Sequence, residues 1–138
     1  MSADGRIVLV IDDDSAIRDN IAEILESDGY VCWLAATCDS ALQRLELEVR
    51  GPDVVLLDLW LPGMSAEHFV SLLRERAEWA NARIILTTAA MESSIPNELQ
   101  VDAVLLKPFG ISRLLDLLGD AAHNNEKRER AGQHDHPR

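Results

Sequence analysis

Val54-Val55-Leu56-Leu57-Asp58-Leu59-Trp60-Leu61-Pro62-Gly63-Met64 decides the fold of this chain. Four aliphatic residues run straight into a carboxylate, and a Pro-Gly pair follows within one short loop. A short all-apolar run bounded by turn residues reads as a strand buried on both faces, the kind parallel sheets are made of. Asp58 then stands at the carboxyl end of that strand, where open α/β sheets hold their ligands. An aspartate before a turn is also ordinary loop chemistry. Its meaning therefore depends on what the other strands end in.

Upstream, Ile7-Val8-Leu9-Val10-Ile11 is a second run of the same type, and it ends in Asp12-Asp13-Asp14. A helical stripe follows with Ile17, Ile21, Ile24 and Leu25 on one face and Arg18, Asp19, Glu23 and Glu26 on the other. Asp14 or Ser15 can cap it, and Asp28-Gly29 ends it. Val31 to Ala36 reads as the second strand. Leu42, Leu45 and Val49 give a second helix that starts near Asp39 or Ser40 and is broken by Gly51-Pro52.

Downstream of the opening stretch, Ser65 can cap a third helix with Ala66, Phe69, Val70, Leu73 and Ala77 inward. Ile84-Ile85-Leu86 is the fourth strand and runs into Thr87-Thr88. Pro96 interrupts Met91 to Gln100, leaving room for only a shortened fourth helix. Ala103 to Leu106 is the fifth strand, followed by Lys107-Pro108-Phe109-Gly110. Ile111, Leu114, Leu115, Leu118 and Ala122 form the stripe of a last helix. Strands alternating with helices five times predict a flavodoxin-like doubly wound (βα)5 fold, a five-stranded parallel sheet of order 2-1-3-4-5. Strands one and three are then neighbours, and Asp12, Asp13 and Asp58 converge on the crevice between them.

Composition agrees with one soluble domain. The chain has 138 residues, 47% of them hydrophobic and 27% charged, enough to bury a core without staples. We expect a domain over residues 1–122 and a disordered charged tail over 123–138, which is polar and without pattern. That tail holds four basic and three acidic side chains, so with a total of −11 the body carries −12. Such a surface repels phosphate backbones, and direct nucleic-acid binding is not expected. No apolar run is long enough to span a bilayer. Asp4 and Arg6 precede only five aliphatic residues, which is not a secretory leader, and the expected location is the cytoplasm. Cys32 and Cys38 lack redox or metal-binding spacing and are expected to be free thiols.

Three carboxylates at one pole of a sheet repel one another unless they hold protons or a cation. A hard divalent ion with oxygen ligands suits them, and Mg²⁺ suits a site of few carboxylates and several waters. Thr88 and Lys107 end strands four and five at the same pole. Lys107 is the single lysine before the tail in an otherwise arginine-rich body. A hydroxyl, an ammonium and a cation around a carboxylate fit phosphoryl transfer onto Asp58.

With these pieces in place the chain resembles the receiver domain of bacterial two-component response regulators, of the stand-alone, single-domain type. The resemblance rests on Ile7 to Asp14, on Val54 to Met64 with Asp58 and Pro62-Gly63, on Thr88-Ala89, and on Lys107-Pro108-Phe109. It covers about residues 5 to 122. It implies that Asp58 is the phosphoacceptor and that Asp13 and Asp58 bind Mg²⁺ directly, with Asp12 acting largely through water. The backbone carbonyl of Trp60 would complete the protein ligands. Thr88 and Lys107 would contact the phosphoryl group, and Lys107-Pro108 would be a cis peptide. The donor would be a phosphohistidine on a sensor histidine kinase or a histidine phosphotransfer domain. Such donors dock near Ser15, Ala16 and Asp19. The output would be altered affinity for a protein partner that the sequence does not name.

Three positions depart from the family pattern. Val104 stands where an aromatic residue or histidine usually turns inward when the threonine moves, so the switch position is altered. Ala66 replaces the usual glycine after Asp58. The segment between Thr88 and Lys107 is short and contains Pro96. Trp60 and Ala90, each two residues beyond a site residue, lie at the mouth of the site and are expected to tune the lifetime of the phosphoryl group. Two other readings use the same residues. Asp12-x-Asp14 after a strand also resembles the opening motif of haloacid-dehalogenase-type phosphatases, with Asp12 as nucleophile. A pseudo-receiver that only binds partners would need no phosphorylation at all.

Overall fold

The computed structural model describes residues 5–89 and 99–119. Five strands form one parallel sheet in the order β2-β1-β3-β4-β5, where β1 is Ile7–Ile11, β2 Val31–Ala35, β3 Val54–Asp58, β4 Arg83–Thr88 and β5 Ala103–Leu106. Among the described residues three helices lie between strands: α1 (Ser15–Ser27), α2 (Cys38–Leu47) and α3 (Ala66–Glu75). This is the doubly wound, flavodoxin-like arrangement that the apolar runs predict. Every residue of β1 and β3 is buried, as central strands covered on both faces must be.

Side chains alternate between the two faces of each strand. Leu9, Ile11, Val55, Leu57, Ile84 and Leu86 share one core with Ala41 and Leu45 of α2 and with Phe69, Val70 and Leu73 of α3. Val8, Val10, Leu56 and Ile85 point to the opposite face, and the buried Ile21 and Leu25 of α1 lie outside that first core. Phe69 is wholly buried, and burying such a ring contributes roughly 1.5–3 kcal/mol. No helix among the described residues is long and apolar enough to cross a membrane.

The helix starts are set by local hydrogen bonds. Asp14 caps α1 by accepting from the N–H groups of Ala16 and Ile17, a contact worth about 1 kcal/mol. Ser65 caps α3 as expected. α2 differs from expectation. Thr37 caps it in a reciprocal box with Ser40, and Cys38 is its first residue rather than a loop residue. The helix stops at Leu47, so Val49 falls outside it and is fully exposed. Likewise α3 ends at Glu75, and Ala77 lies in the following turn, exposed.

Two tryptophans close the α2 and α3 side. Trp33 is buried under the guanidinium of Arg44, 4.9 Å from its ring centre, and Trp79 under that of Arg76 at 4.1 Å. Gly51 lies against the second of these. A Cβ there would stand 2.6 Å from the carbonyl oxygen of Glu78 and 3.0 Å from Cδ1 of Trp79. Because the closer atom is backbone, Gly51→Ala is expected to destabilise the fold by about 1–3 kcal/mol, measured by urea denaturation. A variant as stable as wild type would show that this loop yields freely.

At the amino-terminal rim of the sheet two aspartates replace missing strand partners. Asp53 Oδ2 accepts the N–H of Ile7 at 2.8 Å, and Asp102 Oδ2 accepts that of Ile84 at 2.8 Å. Arginines flank each: Arg6 and Arg50 beside Asp53, Arg74 and Arg83 beside Asp102. Arg74 also donates to the carbonyls of Ala80, Ala82 and Gln100.

Residues 111–119 form a further helix. Leu117, off the main stripe, is buried along with Leu114 and Leu118, as a broad core face requires, whereas Ile111 of the stripe is exposed. The shortened fourth helix expected across Met91 to Gln100 falls almost entirely on residues 90–98, outside the described residues, and Leu99 and Gln100 are not helical. The tail at 123–138 also lies outside them.

Candidate functional site

The parallel sheet delivers four strand ends to one pole. β1 runs into Asp12, β3 ends on Asp58, β4 ends on Thr88, and Lys107 follows β5. Because β1 pairs with β3, and β3 with β4, these residues converge although they are far apart in sequence. Asp12 and Asp58 are only 3% and 7% exposed, Thr88 is wholly buried, and Asp13 is exposed. One carboxylate oxygen from each of Asp12, Asp13 and Asp58 lies within 4.8 Å of the others.

Lys107 reaches into this group. Its ammonium donates to Asp12 Oδ2 at 2.9 Å and to Asp58 Oδ2 at 3.4 Å. The other oxygen of Asp58 accepts the N–H of Trp60 at 3.3 Å. The other oxygen of Asp12 accepts the N–H of Asp14 at 2.9 Å. Asp12 is therefore committed at both oxygens, whereas Asp58 has one oxygen held by backbone and the other facing a cation at longer range. The Asp14 side chain caps α1 and is not a member of the carboxylate cluster.

Burial pushes the Asp58 carboxyl above the usual carboxylate range. The neighbouring Asp12 charge adds to the rise, while the Lys107 charge and the Trp60 N–H only partly oppose it. For Lys107, burial pulls downward, but the bond to Asp12 and the charges of Asp58 and Asp12 together outweigh it, and the ammonium is held above its ordinary value. Two buried carboxylates thus share one ammonium, and the exposed Asp13 places a carboxylate oxygen within 4.8 Å of both. An all-oxygen donor set with one exposed member fits a hard divalent ion that keeps part of its water, such as Mg²⁺.

The remaining predicted residues take varied places. Trp60 is 63% exposed, beside the site in sequence and not covered by the fold. Val104 is partly buried and packs against the core shared by α2 and α3, a small side chain already turned inward. Ala66 is buried in the first turn of α3. Ala90 lies outside the described residues. Neither cysteine belongs to the site: burial pushes both thiols up to about 12, helped by Glu26 at Cys32 and by Asp39 at Cys38.

Two contacts near the site escaped the sequence reading. Arg18 appeared as a residue of a solvated helix face, yet its Nη1 donates to the carbonyl of Asp12 at 2.7 Å. Asp39, at the start of α2, accepts the N–H of Met64 at 3.4 Å and so touches the loop after Asp58. The available signal for Arg18 was its place one turn into the helix that the aspartates open.

Comparison with known proteins bears on the same residues. The model of the response regulator receiver domain family matches residues 8–119. The sensory transduction protein RegX3 of Mycolicibacterium smegmatis is 30% identical over 123 residues, which span 86% of this chain and 53% of RegX3. The KDP operon transcriptional regulatory protein KdpE of Escherichia coli is 36% identical over 110 residues, 78% of this chain and 47% of KdpE. The chain thus spans about half the length of the curated relatives it matches. Among solved structures, a CheY-like response regulator receiver domain protein from Methanospirillum hungatei has a TM-score of 0.80 at 27% identity, covering 90% of this chain and 98% of that one. The chemotaxis response regulator CheY4 of Vibrio cholerae has a TM-score of 0.77 at 26% identity, covering 85% and 98%.

Proposed function

The chain belongs to the response regulator receiver domain family, and from that premise we propose that it accepts a phosphoryl group on Asp58 and then changes its affinity for a protein partner. The observation that carries this reading is the environment of the Asp58 carboxylate. One oxygen is fixed by the Trp60 N–H, the other faces the Lys107 ammonium, and two further carboxylates lie alongside.

In the proposed reaction an Asp58 oxygen attacks the phosphorus of a phosphohistidine on a sensor kinase or phosphotransfer domain. The new P–O bond forms as the P–N bond breaks, and the imidazole nitrogen keeps the electron pair and takes up a proton. Lys107 holds its positive charge where the phosphoryl oxygens arrive. Thr88 would offer its hydroxyl to one of those oxygens. Asp13 and Asp58 would hold Mg²⁺ directly, Asp12 through water, and the Trp60 carbonyl would be a further ligand. When bound, the ion offsets the charge of the carboxylates and of the phosphoryl oxygens. Trp60, with its large ring near the site, would slow loss of the phosphoryl group by limiting the approach of water.

The proposed role is a signal carrier that modifies only itself. Phosphorylation would bias a two-state element beyond Thr88, and Val104 implies a readout without an inward-swinging aromatic ring. Relatives such as KdpE are named as transcriptional regulators. With a net charge of −11, direct contact between this domain and a phosphate backbone is disfavoured, and we assign the readout to a protein surface.

Mass spectrometry of peptides after incubation with Mg²⁺ and acetyl phosphate tests the proposal. The phosphoryl group is expected on Asp58. Modification of Asp12 would instead support a haloacid-dehalogenase-type phosphatase, and an unmodified chain would support a receiver that only binds.

A further inference from the structure

Every polar group of Asp12 has a partner within the fold. Its N–H donates to the carbonyl of Ala35 at 3.1 Å, and its two carboxylate oxygens accept from the Asp14 N–H and the Lys107 ammonium. Its own carbonyl accepts from Arg18 Nη1 at 2.7 Å. That last bond has a consequence for the neighbouring residue. The Asp12 carbonyl belongs to the peptide that joins Asp12 to Asp13, and the atoms of a peptide group are coplanar. Fixing the carbonyl therefore fixes the bond from which the Asp13 backbone departs.

Asp13 needs such help. Its side chain is exposed, while the other two carboxylates are buried and held. Arg18 is half-buried on α1, and it reaches back over the start of its own helix to this peptide. A guanidinium is suited to the task, since its planar donor fork loses little freedom on bonding a carbonyl.

We propose that Arg18 is a positioning residue for the acidic site: by holding the Asp12–Asp13 peptide it presents the Asp13 carboxylate to a divalent cation. The inference rests on the reading of Asp12, Asp13 and Asp58 as a Mg²⁺ site. It opposes the simple electrostatic expectation. A guanidinium bonded to the Asp12 carbonyl adds positive charge next to the acidic cluster, so removal of its charge alone should tighten Mg²⁺ binding. Loss of positioning should weaken it, and outer-shell partners of metal ligands commonly matter by about 10–100-fold in affinity. The two accounts differ in sign.

The experiment is a calorimetric titration of the full chain with Mg²⁺, comparing wild type, Arg18→Met and Asp13→Asn. Arg18→Met keeps the apolar stem and loses both donor and charge. Its Kd is expected to rise about tenfold, with circular dichroism unchanged, and Asp13→Asn is expected to weaken binding at least as much. A merely structural role would lower the melting temperature and leave the Kd of the folded protein where it was. Equal or tighter binding by Arg18→Met would overturn the proposal. Should that variant fail to fold, Arg18→Lys takes its place. Its ammonium ends short of the guanidinium position while its charge is kept, so weaker Mg²⁺ binding supports positioning and wild-type binding overturns it. A wild-type chain that binds no Mg²⁺ would overturn the ion reading itself, and the inference with it.

Discussion

Asp58→Asn is expected to abolish phosphoryl uptake from acetyl phosphate, with the label falling to background, while the protein becomes more stable. The first effect follows from chemistry, since an amide oxygen is a poor nucleophile and the carboxylate is the attacking group. The second follows from the cost of the charge. Burial, reinforced by Asp12, raises the Asp58 carboxyl above its ordinary value, against the pull of Lys107. The folded protein therefore binds this proton more tightly than the unfolded chain does. The cost of the ionised form is present above the raised folded value and is relieved as pH falls through it. Asp58→Asn should exceed wild type in urea denaturation at neutral pH with divalent ions chelated, and the gap should close in acid. Uptake equal to wild type would remove Asp58 from the reaction. A gap that stayed constant with pH would remove the electrostatic account.

Lys107→Met is expected to lose about 3 kcal/mol of stability in chelator at neutral pH. Removing one partner of a buried ion pair costs about 3–5 kcal/mol, and the lower end applies because a fifth of the Lys107 side chain remains in water. Asp12 and Asp58 would then share a pocket with no ammonium between them. Mg²⁺ should restore much of the loss, since a cation bound to the carboxylates does the same electrostatic work. The wild-type contribution has a defined range. Although burial opposes it, contact with Asp12 and Asp58 holds the Lys107 ammonium above its ordinary value. Its stabilisation is complete below the unfolded lysine value and is lost only as pH climbs through the higher folded one. If Lys107→Met matched wild type in chelator, the ammonium would not be offsetting the buried carboxylates.

The strands were legible because they are buried on both faces. Val54 to Leu57 and Ile7 to Ile11 allow no polar residue, so the runs declare themselves. Once the strand order followed, topology alone brought Asp12, Asp58, Thr88 and Lys107 to one pole. The helix boundaries were less legible because apolar spacing does not say where a helix stops. Val49 keeps the period of α2, yet the chain has already turned extended at Glu48. Arg18 was hidden for another reason. Periodicity assigns a residue to a face, but a long side chain can reach back along the helix to the loop before it. Asp53 and Asp102 were hidden too, because a carboxylate that accepts a neighbouring strand's N–H is visible only once the strand register is known.

Those two rim aspartates bear on how the sheet breathes. Amides in the first residues of a strand ordinarily open by fraying and exchange their protons with solvent early. Here the amides of Ile7 and Ile84 are each closed by a carboxylate at 2.8 Å. In deuterium exchange followed by nuclear magnetic resonance, both should exchange as slowly as mid-strand amides of β1 and β4, and Asp53→Ala should release Ile7 alone. A rim secured in this way leaves local opening to the opposite pole, among the loops that carry Asp13, Trp60 and Ala89.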